Sequence, residues 1–231
     1  MRRQTQHMSA HKSPDTHNSH DIFNNRHEFQ LDRLILFTDA VFAIAITLLI
    51  IEVKVPEELH HAVSGHEIWK ALGGMALKLV GFVSSFLLIG IYWTVHHRIF
   101  RYVINYNSRL IWRNLFLLMF VVFLPFTTAL AFETFTGDTD VSFIIYSANH
   151  ILISLCFLRV WKYISDPAHK LSAGLTDKKY LNYNYWRSIS IIIVFGITII
   201  LCFIIPGIAR FTPVLCAFAI PLVNRRFGFK G

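Results

Sequence analysis

Few side chains in the apolar parts of this chain can do chemistry. Asp39 is the only carboxylate deep within a hydrophobic run. A charge there costs about 2.5–3.5 kcal/mol near a bilayer centre on insertion scales, so it marks either a function, such as a proton site, or a structural partner. Thr47 is the only polar side chain between Ala40 and Ile51 and offers one hydroxyl to an otherwise apolar surface. Trp93 is followed three and four positions later by His96 and His97, which on a helix share its face. Such imidazoles suit a pH sensor or a metal, or simply hydrogen-bonded packing around a tryptophan anchor. Asn149, His150 and Ser154 read as interhelical hydrogen-bonding groups worth about 1 kcal/mol each. There is no HExxH, GxSxG or Walker loop, so no enzyme chemistry is expected. The histidines of the first twenty residues, and His60, His61 and His66 beside Glu57 and Glu58, lack metal-site spacing and cysteine partners. No metal or cofactor is expected.

These residues sit on long apolar elements. Leu34 to Ile51 is an eighteen-residue stretch whose only charge is Asp39. That approaches the roughly 20 residues a helix needs to cross the hydrocarbon of a bilayer. Similar runs predict further spans at about 68–97, 109–131, 141–163, 188–205 and 208–224, with Pro206-Gly207 breaking the last two. Arg210, at the start of the sixth run, is expected to snorkel to the interface. Asn107, Arg109, Arg113 and Asn114 read as interface anchors at the start of the third span. Residues 1–28 are polar and read as a disordered cytoplasmic tail, 29–224 as the six-helix transmembrane domain, and 225–231 as a second short tail.

Composition agrees. Of the 231 residues, 54% are hydrophobic and only 16% charged, against about 25% charged in a soluble domain. The net charge of +8 suggests nucleic acid at first sight, but its placement fits membrane orientation better. With six spans, 18 Lys and Arg fall on the side of both termini and 4 on the other. The positive-inside rule then places both termini in the cytoplasm and the chain in the cell (inner) membrane, its partner the lipid bilayer rather than nucleic acid. Cys156, Cys202 and Cys216 all lie in apolar runs and imply no disulfide framework.

Helical phase separates roles in the first span. At about 100° per residue, Phe37, Ile44, Thr47, Leu48, Ile51 and Val55 form one stripe, while Asp39 lies about 140° from Ile44. The stripe suits a bundle seam, a lipid face or a pore lining that gates by hydrophobic constriction.

The residues Arg33-Leu34 and Phe37-Thr38-Asp39-Ala40-Val41-Phe42-Ala43-Ile44-Ala45-Ile46-Thr47-Leu48-Leu49 resemble the first-helix signature of the transmembrane protein 175 potassium channels. That signature opens with Arg and then Phe-Ser-Asp; Thr38 replaces the usual Ser. The likeness extends to Trp93-Thr94-Val95-His96-His97-Arg98 and to Asn114-Leu115 through Leu124-Pro125-Phe126. The resemblance implies an all-α integral membrane protein with six transmembrane helices per subunit. It further implies a homotetrameric potassium channel, K+ modestly favoured over Na+, with the first helix lining the pore. Ile44 would form the hydrophobic gate, Leu48 and Ile51 its outer continuation, and Thr47 would contribute to selectivity. Arg33, Phe37, Thr38 and Asp39, with Trp93 and His96 or His97, would form the network that sets the helix. The alternative is a proton-coupled transporter, or a proton-leak pathway, that uses Asp39.

Overall fold

The computed structural model describes residues 15–55, 64–134, 140–173, 175 and 178–227. The first fourteen residues, the histidine pair 60–61 and the last four residues lie outside them. The chain is all-helical. Helix α1 is Asp15–Ile51, α2 Gly65–Phe100, α3 Ser108–Val122, α4 Leu124–Glu133, α5 Val141–Ser165, α6 Lys178–Ile204, α7 Pro206–Ala209 and α8 Cys216–Phe227. Among the described residues, five segments are long and apolar enough to cross a membrane: Phe29–Ile51, Lys78–Phe100, Ser108–Glu133, Val141–Ser165 and Lys178–Ile204.

Local chemistry sets the boundaries. Ser64 and Glu67 close a reciprocal capping box at the start of α2, and the Asn107 side chain accepts from the Leu110 amide at the start of α3. The third span is interrupted at Phe123, because Pro125 lacks an amide proton and its ring crowds the preceding turn. Ile205, preceding Pro206, adopts a non-helical φ/ψ of −141°/78°, which ends α6.

Helix α1 starts at Asp15, N-terminal to the first expected span. Two expectations need correction. The expected sixth span at 208–224 is not one helix. It is divided into α7, a 3₁₀ turn at Thr212–Leu215 and α8, with prolines at the starts of the first two. Helix α8 also takes in Arg225 and Arg226, expected in the tail. Finally, Arg210 does not snorkel: its Nε donates to Asp140 Oδ1 at 3.1 Å, with side-chain exposures of 14% and 8%.

The helices pack in two connected groups. Helix α1 lies against α2, α3 and α4, and α5 joins these to α6 by touching α3, α4 and α6; α6 in turn carries α7 and α8. Between the groups lies a polar interior. Tyr92 Oη bonds His150 Nδ1 at 2.8 Å, Thr128 donates to Ser85 at 2.9 Å, and Ser85 meets Tyr146 Oη at 3.3 Å. His150 stacks on Phe195, ring centroids 4.2 Å apart. Gly81 permits the α2–α4 crossing, since a Cβ there would collide with the Phe132 ring. The loops at one end are tied by Ile104 N–H to Leu171 O (2.9 Å) and Ala173 N–H to Tyr102 O (3.1 Å).

Candidate functional site

The fully buried residues of helix α1 form a narrow seam, flanked by half-buried Leu34, Ile35, Val41 and Ile46. Leu31, Thr38, Phe42, Ala45 and Leu49 are buried, spaced seven, four, three and four apart. At about 100° per residue they span only about 60° of the helix. Phe37, Ile44, Thr47, Leu48 and Ile51 lie on the far side and are exposed, Ile44 by 56% and Ile51 by 67%. Only 22% of the first span is buried, against 39–50% in the other four. The stripe inferred from phase is therefore neither the seam within the subunit nor part of its core.

Asp39 and Thr38 occupy one end of this helix and reach different neighbours. Being adjacent, they point about 100° apart. Asp39 Oδ1 accepts from the indole Nε1 of Trp93 on α2 at 2.9 Å. Thr38, fully buried, donates to Leu34 O at 2.9 Å and accepts from Asn114 Nδ2 on α3 at 2.8 Å. Asn114 Oδ1 meets His96 Nε2 at 2.9 Å. An amide oxygen only accepts, so this geometry assigns the His96 proton to Nε2. His96 stacks on Phe100 at 4.0 Å, and Phe42 of the α1 seam lies 5.8 Å from its ring. Three helices are thus pinned by one chain, Leu34–Thr38–Asn114–His96, and one separate bond, Asp39–Trp93.

The remaining residues of the expected network stand apart. Arg33 is exposed and, among the described residues, makes no ion pair with Asp39. His97 is also exposed, its ring 5.7 Å from that of Trp93. Of the two histidines, His96 is the one in the hydrogen-bonded chain. Sequence reasoning missed Asn114 as its link, having read it as an interface anchor. The available signal was its spacing: Asn114 shares a buried face with Leu110, Leu117, Leu118 and Val121.

Thr47 donates its hydroxyl proton to the Ile44 carbonyl at 2.9 Å. With that proton engaged, the hydroxyl oxygen of this exposed side chain can accept from water or meet a cation and has no proton left for an anion. No group of three or more metal-ligating side chains occurs among the described residues.

This geometry defines a polytopic helical membrane protein whose first helix is braced on one side and exposed on the other. The model of the family "Endosomal/lysosomal potassium channel TMEM175" matches residues 33–125, which take in the bracing residues and the stripe. A potassium channel of Streptomyces collinus is 37% identical over 139 residues, covering 59% of this chain and 66% of that one. A potassium channel of Chamaesiphon minutus is 36% identical over 147 residues, covering 63% and 71%. The crystal structure of a lysosomal potassium-selective channel TMEM175 homolog from Chamaesiphon minutus superimposes with a TM-score of 0.70 at 28% identity, covering 84% of this chain and 98% of that one. The chain belongs to the TMEM175 family, as a prokaryotic member.

Proposed function

We propose that this chain is the subunit of a homotetrameric, potassium-selective cation channel in the cell membrane, with cytoplasmic termini and passive flux. Four copies of α1 surround the pore and turn the exposed stripe inward. Ile44 forms the gate, with Leu48 and Ile51 beyond it. A ring of such side chains closes the pore by making water unfavourable, and opening widens the ring. Thr47 provides the one polar contact in this constriction. Potassium gives up its hydration less reluctantly than sodium, so an apolar, hydroxyl-lined constriction favours it modestly without a carbonyl filter.

The observation that carries this reading is the exposure of the Ile44 stripe opposite the seam that fastens α1. Asp39 lies on another flank and is held by Trp93, which suits a bracing role better than proton transfer along the stripe. Reconstituted bilayers under a potassium/sodium gradient test the proposal. Ile44→Asn should raise the resting conductance several-fold, and Thr47→Val should lower the K+/Na+ permeability ratio measured as a bi-ionic reversal potential. Saturable, pH-gradient-driven uptake without unitary currents, abolished by Asp39→Asn in a correctly assembled protein, would establish the transporter instead.

A further inference from the structure

We propose that Arg98 and Arg187, bridged by the Tyr183 hydroxyl, form a binding site for a phosphate group at the basic end of the helix bundle. Arg98 Nη1 donates to Tyr183 Oη at 3.3 Å, and Arg187 Nη1 donates to the same oxygen at 3.2 Å. Two guanidiniums from different helices, α2 and α6, therefore converge within two hydrogen-bond lengths of each other. Like charges are brought together only at a cost, and Arg187 bears it while 96% buried, with an exposure of 4%. Among the described residues neither arginine has a carboxylate within ion-pair distance; the ion pairs there are Lys78–Glu133, Asp166–His169 and Arg210–Asp140. The buried Nε of Arg187 has no hydrogen-bond partner among them. Among the described residues the convergence thus shows donors in excess and positive charge without an answering anion.

The surroundings add to the same field. Phe227, at the end of α8, packs edge-on against the Tyr183 ring at 6.0 Å, which brings the last turn of α8, with exposed Arg225 and Arg226, alongside. A planar guanidinium pair matches the tetrahedral oxygens of a phosphate, to which each can donate two bonds. A carboxylate would satisfy one arginine and leave the other short of acceptors. The phosphate can come from an anionic lipid headgroup or from a free anion. Position at a span end favours the headgroup, since juxtamembrane Lys and Arg clusters attract anionic lipid.

The site needs no ion conduction, so it stands or falls apart from the channel reading. The full chain, purified in neutral detergent, is titrated with phosphatidylglycerol or with inorganic phosphate, using phosphatidylcholine and sodium chloride as matched controls. The unfolding midpoint should rise saturably. Arg98→Gln removes the less buried arginine and should raise the half-saturating concentration at least about tenfold. Arg187→Lys keeps the charge, loses the fork, and should weaken binding as well. Arg159→Gln, which removes an exposed charge from the same end, should leave saturation unchanged. A response to phosphatidylglycerol alone identifies a lipid site, and a response to both identifies a phosphate site open to free anion. If neither ligand stabilises the protein in an Arg98-dependent way, the proposal is overturned.

Discussion

At the scale of single residues, Asn114 has more consequence than its type suggests. It links the Thr38 hydroxyl to the His96 imidazole, and all three are buried. A leucine there would fill similar space but leave both partners without their bond. Buried groups stripped of a partner cost about 1–3 kcal/mol each. Asn114→Leu should therefore lower the thermal midpoint clearly and reduce the yield of assembled protein, whereas Thr38→Ser, which keeps the hydroxyl, should be nearly neutral. Equal midpoints for Asn114→Leu and wild type would show that the chain does not brace α1. Thr38 itself was legible as a hydroxyl residue beside Asp39. Its partner was not, because hydrogen bonds between helices leave no local pattern.

At the scale of elements, the crossing of α2 over α4 depends on one missing side chain. Gly81 faces the ring of Phe132, and that ring also meets Phe143 and Tyr146 edge-on. An alanine must displace the ring or separate the helices, and overpacking of this kind costs about 1–3 kcal/mol. Gly81→Ala should lower the thermal midpoint despite alanine's better helix propensity, and Gly81→Ala with Phe132→Leu should recover part of the loss. A Gly81→Ala protein more stable than wild type would remove the contact from the account. Elements also mark where periodicity misled. The sixth run is divided, while the third keeps its full span, Ser108–Glu133, with a one-residue break at Phe123, because proline acts on backbone hydrogen bonds that a hydropathy count ignores.

At the scale of the whole molecule, one subunit leaves its first span mostly uncovered. A stripe of Ile, Thr, Leu and Ile that lines a pore must be covered by other copies, so the channel proposal requires closed symmetric assembly. Light scattering of the detergent-solubilised protein should give about four times the subunit mass of 26.7 kDa. A monodisperse monomer that still conducts would contradict the placement of α1 around a shared pore. The ion pair between Arg210 and Asp140 also belongs to this scale, since it joins the divided C-terminal segment to the start of α5 across seventy positions.

Length and polarity of the runs were sufficient, without coordinates, to establish an all-helical membrane protein, and the first-helix motif was sufficient to suggest its family. Helical phase alone also separated Asp39 from the Ile44 stripe, because rotation per residue is a property of the backbone and needs no neighbour. Which residues bond which was decided only by tertiary structure. Asp39 pairs with Trp93, and Thr38 with Asn114 and His96. Arg33 and His97 lie outside that bonding, and Arg210 turns to Asp140. Each of these contacts depends on the crossing of two helices, and a crossing is set by packing along the whole of both elements. The stripe around Ile44 was visible in the sequence as a periodicity; the fold supplied the opposite seam, which holds α1 by one edge and leaves that stripe exposed.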